Sequence, residues 1–138
     1  MGTSTELNVQ LFDATTDFGV PVIYAVQLSE SDPFLAQVVA ATCDVNPERA
    51  LGKVYRELSS LRVALRGYLA AYTGRKPEPS QVSVVGGAVL NGSRDRRSVF
   101  NFLLNSQRPA RHLKDMPQVP DGADPLDTVV GRLAERGA

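Results

Sequence analysis

A chain of 138 residues is about one domain long, and an apolar fraction of 43% gives it material for a packed core. Its 15 basic residues balance its 15 acidic ones, which excludes a nucleic-acid partner held mainly by phosphate neutralisation and a polybasic membrane surface. The single cysteine, Cys43, cannot form an internal disulfide, and no apolar run approaches the length of a membrane span.

Leu7, Val9 and Leu11 alternate with polar residues and predict a half-buried strand. Asp13, Thr15, Thr16 and Asp17 interrupt the apolar pattern, and Asp17-Phe18-Gly19 reads as a turn. Val20 to Leu28 is dense in β-branched and aromatic residues and reads as a second strand, paired antiparallel with the first. Ser29 to Pro33 reads as a loop, and the apolar stretch Phe34 to Ala41 as a third strand.

Asn46 is a good N-cap, Pro47 suits a first helical position, and Glu48 favours the positive helix end. Leu51, Val54, Leu58, Leu61, Leu65, Tyr68 and Tyr72 then recur at spacings of three and four, predicting one long helix over 46–73. Residues 74–80, with Gly74, Pro77 and Pro79, read as a linker. Gln81 to Leu90 reads as a weak strand and Asn91-Gly92-Ser93 as a turn. Ser98 to Asn105 reads as a short helix with Phe100, Leu103 and Leu104 on one side, and Arg108 to Gly122 as loop or extended chain. Asp124 and Pro125 start a last helix, whose apolar face is Leu126, Val129, Val130 and Leu133 and whose stop is Gly137. The order of elements fits α+β or α/β with a mostly antiparallel opening.

Few side chains carry chemistry on spacing alone. His112 has no Cys or carboxylate at ligand spacing, which excludes a histidine-rich metal site. Cys43 has no acid–base partner and reads as buried and inert. Arg94, Arg96 and Arg97 read as a solvated loop or a contact for phosphate or acidic peptide. Gly86-Gly87 lacks the rest of a phosphate loop, and Ser59 and Ser60 lack a nucleophile elbow, so no catalytic residue is assigned. Glu57 shares a helix line with Ala50, Lys53, Ser60 and Ala64, and pairing with Lys53 is its plain structural reading.

Two stretches carry a resemblance. LFDATTDFGVPVIYAV, followed by NPERALGKVYRELSSLR, resembles the YcaO domain, with its Asp-Leu-Thr-Thr/Ser-Asp-Leu-Gly-Ile-Pro-Val hairpin and its Pro-Glu-x-Ala-Leu-x-x-Ala-x-x-Glu-x-x-Gln-x-Arg helix. SVFNFLLNS and the closing GRLAERGA resemble the azoline-forming branch. The resemblance implies an ATP- and magnesium-dependent cyclodehydratase acting on backbone amides of a ribosomally made peptide. It places Glu57 at the family's metal-binding glutamate. Lys53 and Ser60 fall at neighbouring cofactor-binding positions, and Arg62 at the trailing Arg. Ser60 stands where the family has Gln, which reaches further toward a phosphate or a metal-bound water.

In the family, the polar residues from Asp13 to Asp17 surround the turn between two core strands, bonding local main chain or helping to position nucleotide or substrate. The family's Ser-x-x-Glu-x-x-Glu-Arg helix and its C-terminal parts are not among these residues, so the chain is expected to be an incomplete YcaO-like domain. The expectation is one α+β domain: strands over 7–41, a long helix over 46–73, a linker over 74–80, and an irregular and helical region over 81–138. Exposed apolar surface is expected to draw in a second copy, a companion modification enzyme or the peptide substrate. No nucleic acid or membrane partner is expected, and the expected compartment is the cytoplasm.

Overall fold

Apolar and polar residues alternate with a period of two over Leu7–Asp13, and this stretch forms strand β1. Strands β2 (Val22–Ser29) and β3 (Gln37–Cys43) complete one antiparallel sheet in the order β1-β2-β3. The computed structural model describes residues 6–71, 83–120 and 122–137. The register lines up Val9, Gln27 and Val38 in one row, Leu11, Ala25 and Ala40 in the next, and Asp13, Ile23 and Thr42 in a third. All nine share one sheet face, and Ile23, Ala25 and Val38 enter the core there.

The polar interruption after β1 is a self-bonded turn. Thr15 N–H donates to Asp13 Oδ1 at 2.9 Å, and Val22 N–H donates to Thr15 Oγ1 at 3.1 Å. Gly19, at φ 68°, donates to Thr16 O at 3.0 Å. Short side chains thus satisfy main-chain groups that the ladder leaves unpaired.

Helix α1 (Pro47–Ala71) starts as predicted, with Asn46 Oδ1 accepting from Glu48 N at 2.9 Å and Arg49 N at 3.2 Å. Its buried stripe is Pro47, Ala50, Val54, Leu58, Arg62 and Leu65, packed across β2 and β3. The predicted seam is therefore rotated: Leu51, Leu61 and Tyr68 flank the stripe half-buried, and Tyr72 lies outside the described residues. Small Ala50 lets the helix approach the sheet, where Thr42 Oγ1 donates to Ala50 O at 2.8 Å.

Arg62 takes a core position, 5% exposed, because polar partners meet it there. Its Nε donates to Gln27 Oε1, its Nη1 donates to Leu35 O at 3.0 Å, and Asp32 Oδ2 lies 3.5 Å away. Burial pulls the guanidinium below its ordinary range, and the Asp32 carboxylate works against that shift.

The weak strand expected over Gln81 to Leu90 is instead helix α2 (Val84–Gly92); Gln81 and Val82 lie outside the described residues, as does the linker 74–80. Ser83 caps it by accepting from Gly86 N at 3.0 Å, a local bond that overrides the β preference of Val84 and Val85. Asn91 and Gly92 end this helix rather than forming a separate turn. Gly92 is required by closeness: a Cβ there would stand 3.2 Å from Phe34 O.

A 3-10 helix (Arg94–Phe100) runs into the short helix α3 (Asn101–Leu104), with Phe100 buried as expected. Of the arginine cluster, Arg94 and Arg97 clamp the β2–β3 loop, while Arg96 is exposed. Arg97 Nη1 meets Glu30 Oε1 at 2.6 Å, Arg97 Nη2 donates to Ser29 O at 3.3 Å, and Arg94 Nη2 donates to Glu30 O. Cys43 is exposed, not buried, because it ends an outer strand on the sheet face away from α1.

Helix α4 (Pro125–Glu135) is capped by Asp124, whose Oδ1 accepts from Leu126 N at 2.8 Å and Asp127 N at 3.1 Å. Its predicted apolar face does not reach the core: Leu126 is 71% and Val130 53% exposed. Arginines hold the helix instead. Arg132 Nη1 donates to Gly19 O at 2.7 Å and Phe18 O at 3.1 Å, and Arg136 Nη1 meets Asp17 Oδ2 at 2.8 Å.

Asp44 ties the end of β3 to the first turns of α1, 2.6 Å from Lys53 Nζ and 3.0 Å from Arg49 Nε. The hydrogen bond from Lys53, above all, holds its carboxyl below the ordinary aspartate range. A carboxyl lowered on folding contributes stability above its unfolded value and loses it as pH falls through its folded one. Asp44→Asn is therefore expected to flatten the acid-side fall of stability below about pH 4, followed by urea unfolding at stepped pH; an unchanged slope refutes the tie. Arg62→Ala is expected to lower unfolding free energy by about 3 kcal/mol, since Gln27 and Asp32 lose a buried partner. A loss within about 0.5 kcal/mol, the range of a surface change, would show that the guanidinium does not hold helix to sheet.

Candidate functional site

Glu57 lies near the middle of α1, on the flank of the buried stripe next to Ala50, and is exposed. The cap at Asn46 and the packing of Ala50, Val54, Leu58 and Leu65 fix the helix, so the carboxylate stands on a rigid element. Ser60, one turn on, is exposed as well. Residues three and four apart are neighbours on a helix surface, so Lys53, Glu57 and Ser60 form one line.

Lys53 does not serve Glu57. Its ammonium lies 2.6 Å from Asp44 Oδ2 and 3.3 Å from Cys43 O, drawn toward the end of β3. The expected pair is thus displaced by a carboxylate outside the helix, and Glu57 has no ion-pair partner among the described residues. Glu57 turns its carboxylate to solvent, where it is a competent single ligand for a hard cation. Ser60 offers a neutral hydroxyl beside it.

The line does not become a metal cluster within the described residues, which hold no group of three His, Cys, Asp or Glu suited to an ion. It does not become an acid–base relay either. Ser59 Oγ donates to Tyr55 O at 2.9 Å, His112 is exposed, and Cys43 is at the sheet end. Two shallow clefts of about 250 and about 200 Å3 lie elsewhere: one between Phe18, Gly19, Pro117 and Arg132, the other beside Asn46, Arg49 and Pro120. Lys53, Glu57 and Ser60 line neither.

Spacing missed the polar knot around Arg62. The available signal was a charged residue standing where the periodic stripe needs an apolar one, together with Gln27 inside an otherwise apolar strand. Asp32 binds Arg62 from the β2–β3 loop and lies 3.6 Å from Arg66 Nη2. At the hairpin, burial pushes the Asp13 carboxyl up. Bonds from Thr15 and the Arg111 guanidinium, 2.7 Å away, more than offset that and hold it below its ordinary range.

No helix among the described residues is long and apolar enough to cross a membrane. No curated protein and no solved structure matches the chain. The sequence model of one family matches it over residues 2–138 and is described as YcaO cyclodehydratase, ATP- and Mg2+-binding. That match covers nearly the whole chain, and the chain belongs to the YcaO family.

Proposed function

We propose that this chain contributes the Glu57 helix to an ATP- and magnesium-dependent site that activates backbone amides of a ribosomally made peptide, giving azoline rings. One observation carries the reading: Glu57, which the resemblance sets at the family's metal-binding position, is an exposed carboxylate with no ion pair among the described residues, on a capped and packed helix. When bound, magnesium-ATP supplies the phosphoryl group that takes the amide oxygen away as phosphate. The work of this chain's residues is binding: Glu57 gives one cation ligand, Ser60 a hydroxyl beside it, and Lys53 an ammonium fixed at the helix flank by Asp44.

One carboxylate does not fit a whole triphosphate–magnesium cage, which needs several oxygen ligands. The reading therefore includes carboxylates from outside the described residues, supplied by further polypeptide or by a companion modification enzyme in the cytoplasm. The second reading is a non-catalytic YcaO-like binding module that engages such an enzyme or the precursor peptide. The lack, among the described residues, of any group of three His, Cys, Asp or Glu suited to an ion favours it.

Calorimetric titration with a non-hydrolysable ATP analogue and magnesium separates the two. The first reading expects binding near about 10 μM that Glu57→Ala abolishes, with stability changed by less than about 0.5 kcal/mol because the side chain is exposed. Absence of binding in the wild-type chain, alone and with its companion enzyme, removes the catalytic reading. Ser60→Gln, which restores the longer side chain, is expected to tighten analogue binding by about threefold to tenfold. An unchanged affinity would place Ser60 outside the nucleotide's reach.

A further inference from the structure

Among the described residues β1 is an outer strand of the sheet, and its main chain has a defined outward side. Ala14 N–H donates to Val22 O at 2.9 Å, so Ala14 and Val22 are a hydrogen-bonded pair. Alternation along an antiparallel ladder then turns Phe12, Gln10 and Asn8 toward β2 as well. Leu7, Val9, Leu11 and Asp13 turn their main-chain groups outward. No main-chain bond from another described segment reaches them.

Outer strands are normally blunted by lysine, proline, a bulge or a covering element. LNVQLFD contains no Lys, Arg, Pro or Gly, and its pairing with β2 runs without a break. Helix α1 crosses β2 and β3, which leaves Leu7 and Leu11 41% and 42% exposed on its side of the sheet. The strand's one charge, Asp13, is already paired with Arg111 at 2.7 Å.

We propose that β1 pairs antiparallel with β1 of a second copy of this chain, joining two sheets into one about a two-fold axis at Gln10. The register follows from the strand. Full overlap sets Val9 opposite Leu11 of the second copy, Leu7 opposite its Asp13, and Gln10 opposite its Gln10. Every outward residue then faces an outward residue, so each such pair exchanges two main-chain hydrogen bonds. Val9 and Leu11 of both copies make an apolar seam, and no charge meets a like charge. The contact is self-complementary and closes as a dimer. This pairing does not rest on the nucleotide reading. A strand pair with a narrow apolar seam is a small interface, so the dimer is concentration-dependent.

Sedimentation equilibrium of the whole chain is expected to show this dimer. Val9→Pro removes an outward N–H, which an outer strand tolerates, together with part of the contact that Val9 makes with the core. Circular dichroism should therefore hold and the urea midpoint fall slightly, while association weakens by at least about tenfold. Gln10→Lys and Gln10→Glu each set like charges face to face at the axis, and each alone is expected to weaken association by about tenfold. An equal mixture of the two is expected to recover the dimer. A wild-type monomer at up to about 100 μM overturns the proposal, as does a dimer that Val9→Pro and the single Gln10 variants leave intact. If Val9→Pro unfolds the chain, the Gln10 mixture decides alone: recovery supports the pairing, and its absence overturns it.

Discussion

A buried guanidinium sets the geometry of this molecule. Arg62 sits between α1 and the sheet, and a cation there is tolerable only where polar groups surround it. Gln27 on β2, the carbonyl of Leu35 and the carboxylate of Asp32 supply those groups from three separate points. Together they fix the rotation of the helix, its position along the strands and the path of the β2–β3 loop. That rotation decides what faces outward. At 3.6 residues per turn, Glu57 lies about 140° around the helix from Arg62, and Ser60 about 160°. Arg62 marks one edge of the buried stripe and Ala50 the other, and Glu57 and Ser60 stand exposed just beyond Ala50.

The β2–β3 loop is the second hub and follows from the first. Asp32 accepts from Phe34 N at 3.0 Å and Leu35 N at 2.9 Å, shaping the loop that feeds Arg62. The same loop presents carbonyls of Ser29, Glu30 and Ala36 to Arg94 and Arg97. Gln37, just after it, donates to Asn91 O and Ser93 O at 2.6 Å each and so places the end of α2. The arrangement carries a cost. Arg62 Nη2, Gln37 Oε1 and Arg97 Nε are buried without a partner among the described residues, which weakens the return from each contact.

What the sequence declares locally, it declares well. Asn46-Pro47 and Asp124-Pro125 begin helices because a capping side chain and a proline act over only a few residues. The hairpin is legible for the same reason: the bonds of Asp13 and Thr15 close within the turn. Longer-range facts are not legible. Val84 and Val85 favour strand, yet Ser83 caps a helix whose Gly92 must pass close to Phe34, a requirement set by a residue far along the chain. Lys53 is expected to serve Glu57 four residues on, but Asp44, before the helix, reaches it first. Arg62 looks like a surface residue until Gln27 and Asp32 are brought beside it.

The candidate site is legible only through the family's motif, and the physics explains why. Residues of the buried stripe answer to packing, so their identity reports on the fold. Glu57 and Ser60 are exposed and not needed by the core, so spacing can say nothing about them. That freedom gives the departure at Ser60 its meaning. A glutamine would fit there as easily as a serine, because nothing in the fold presses on the position. Under the proposed reading, in which the resemblance sets a glutamine at this position, the choice between the two bears on what approaches the helix from outside and not on the packing of the described residues.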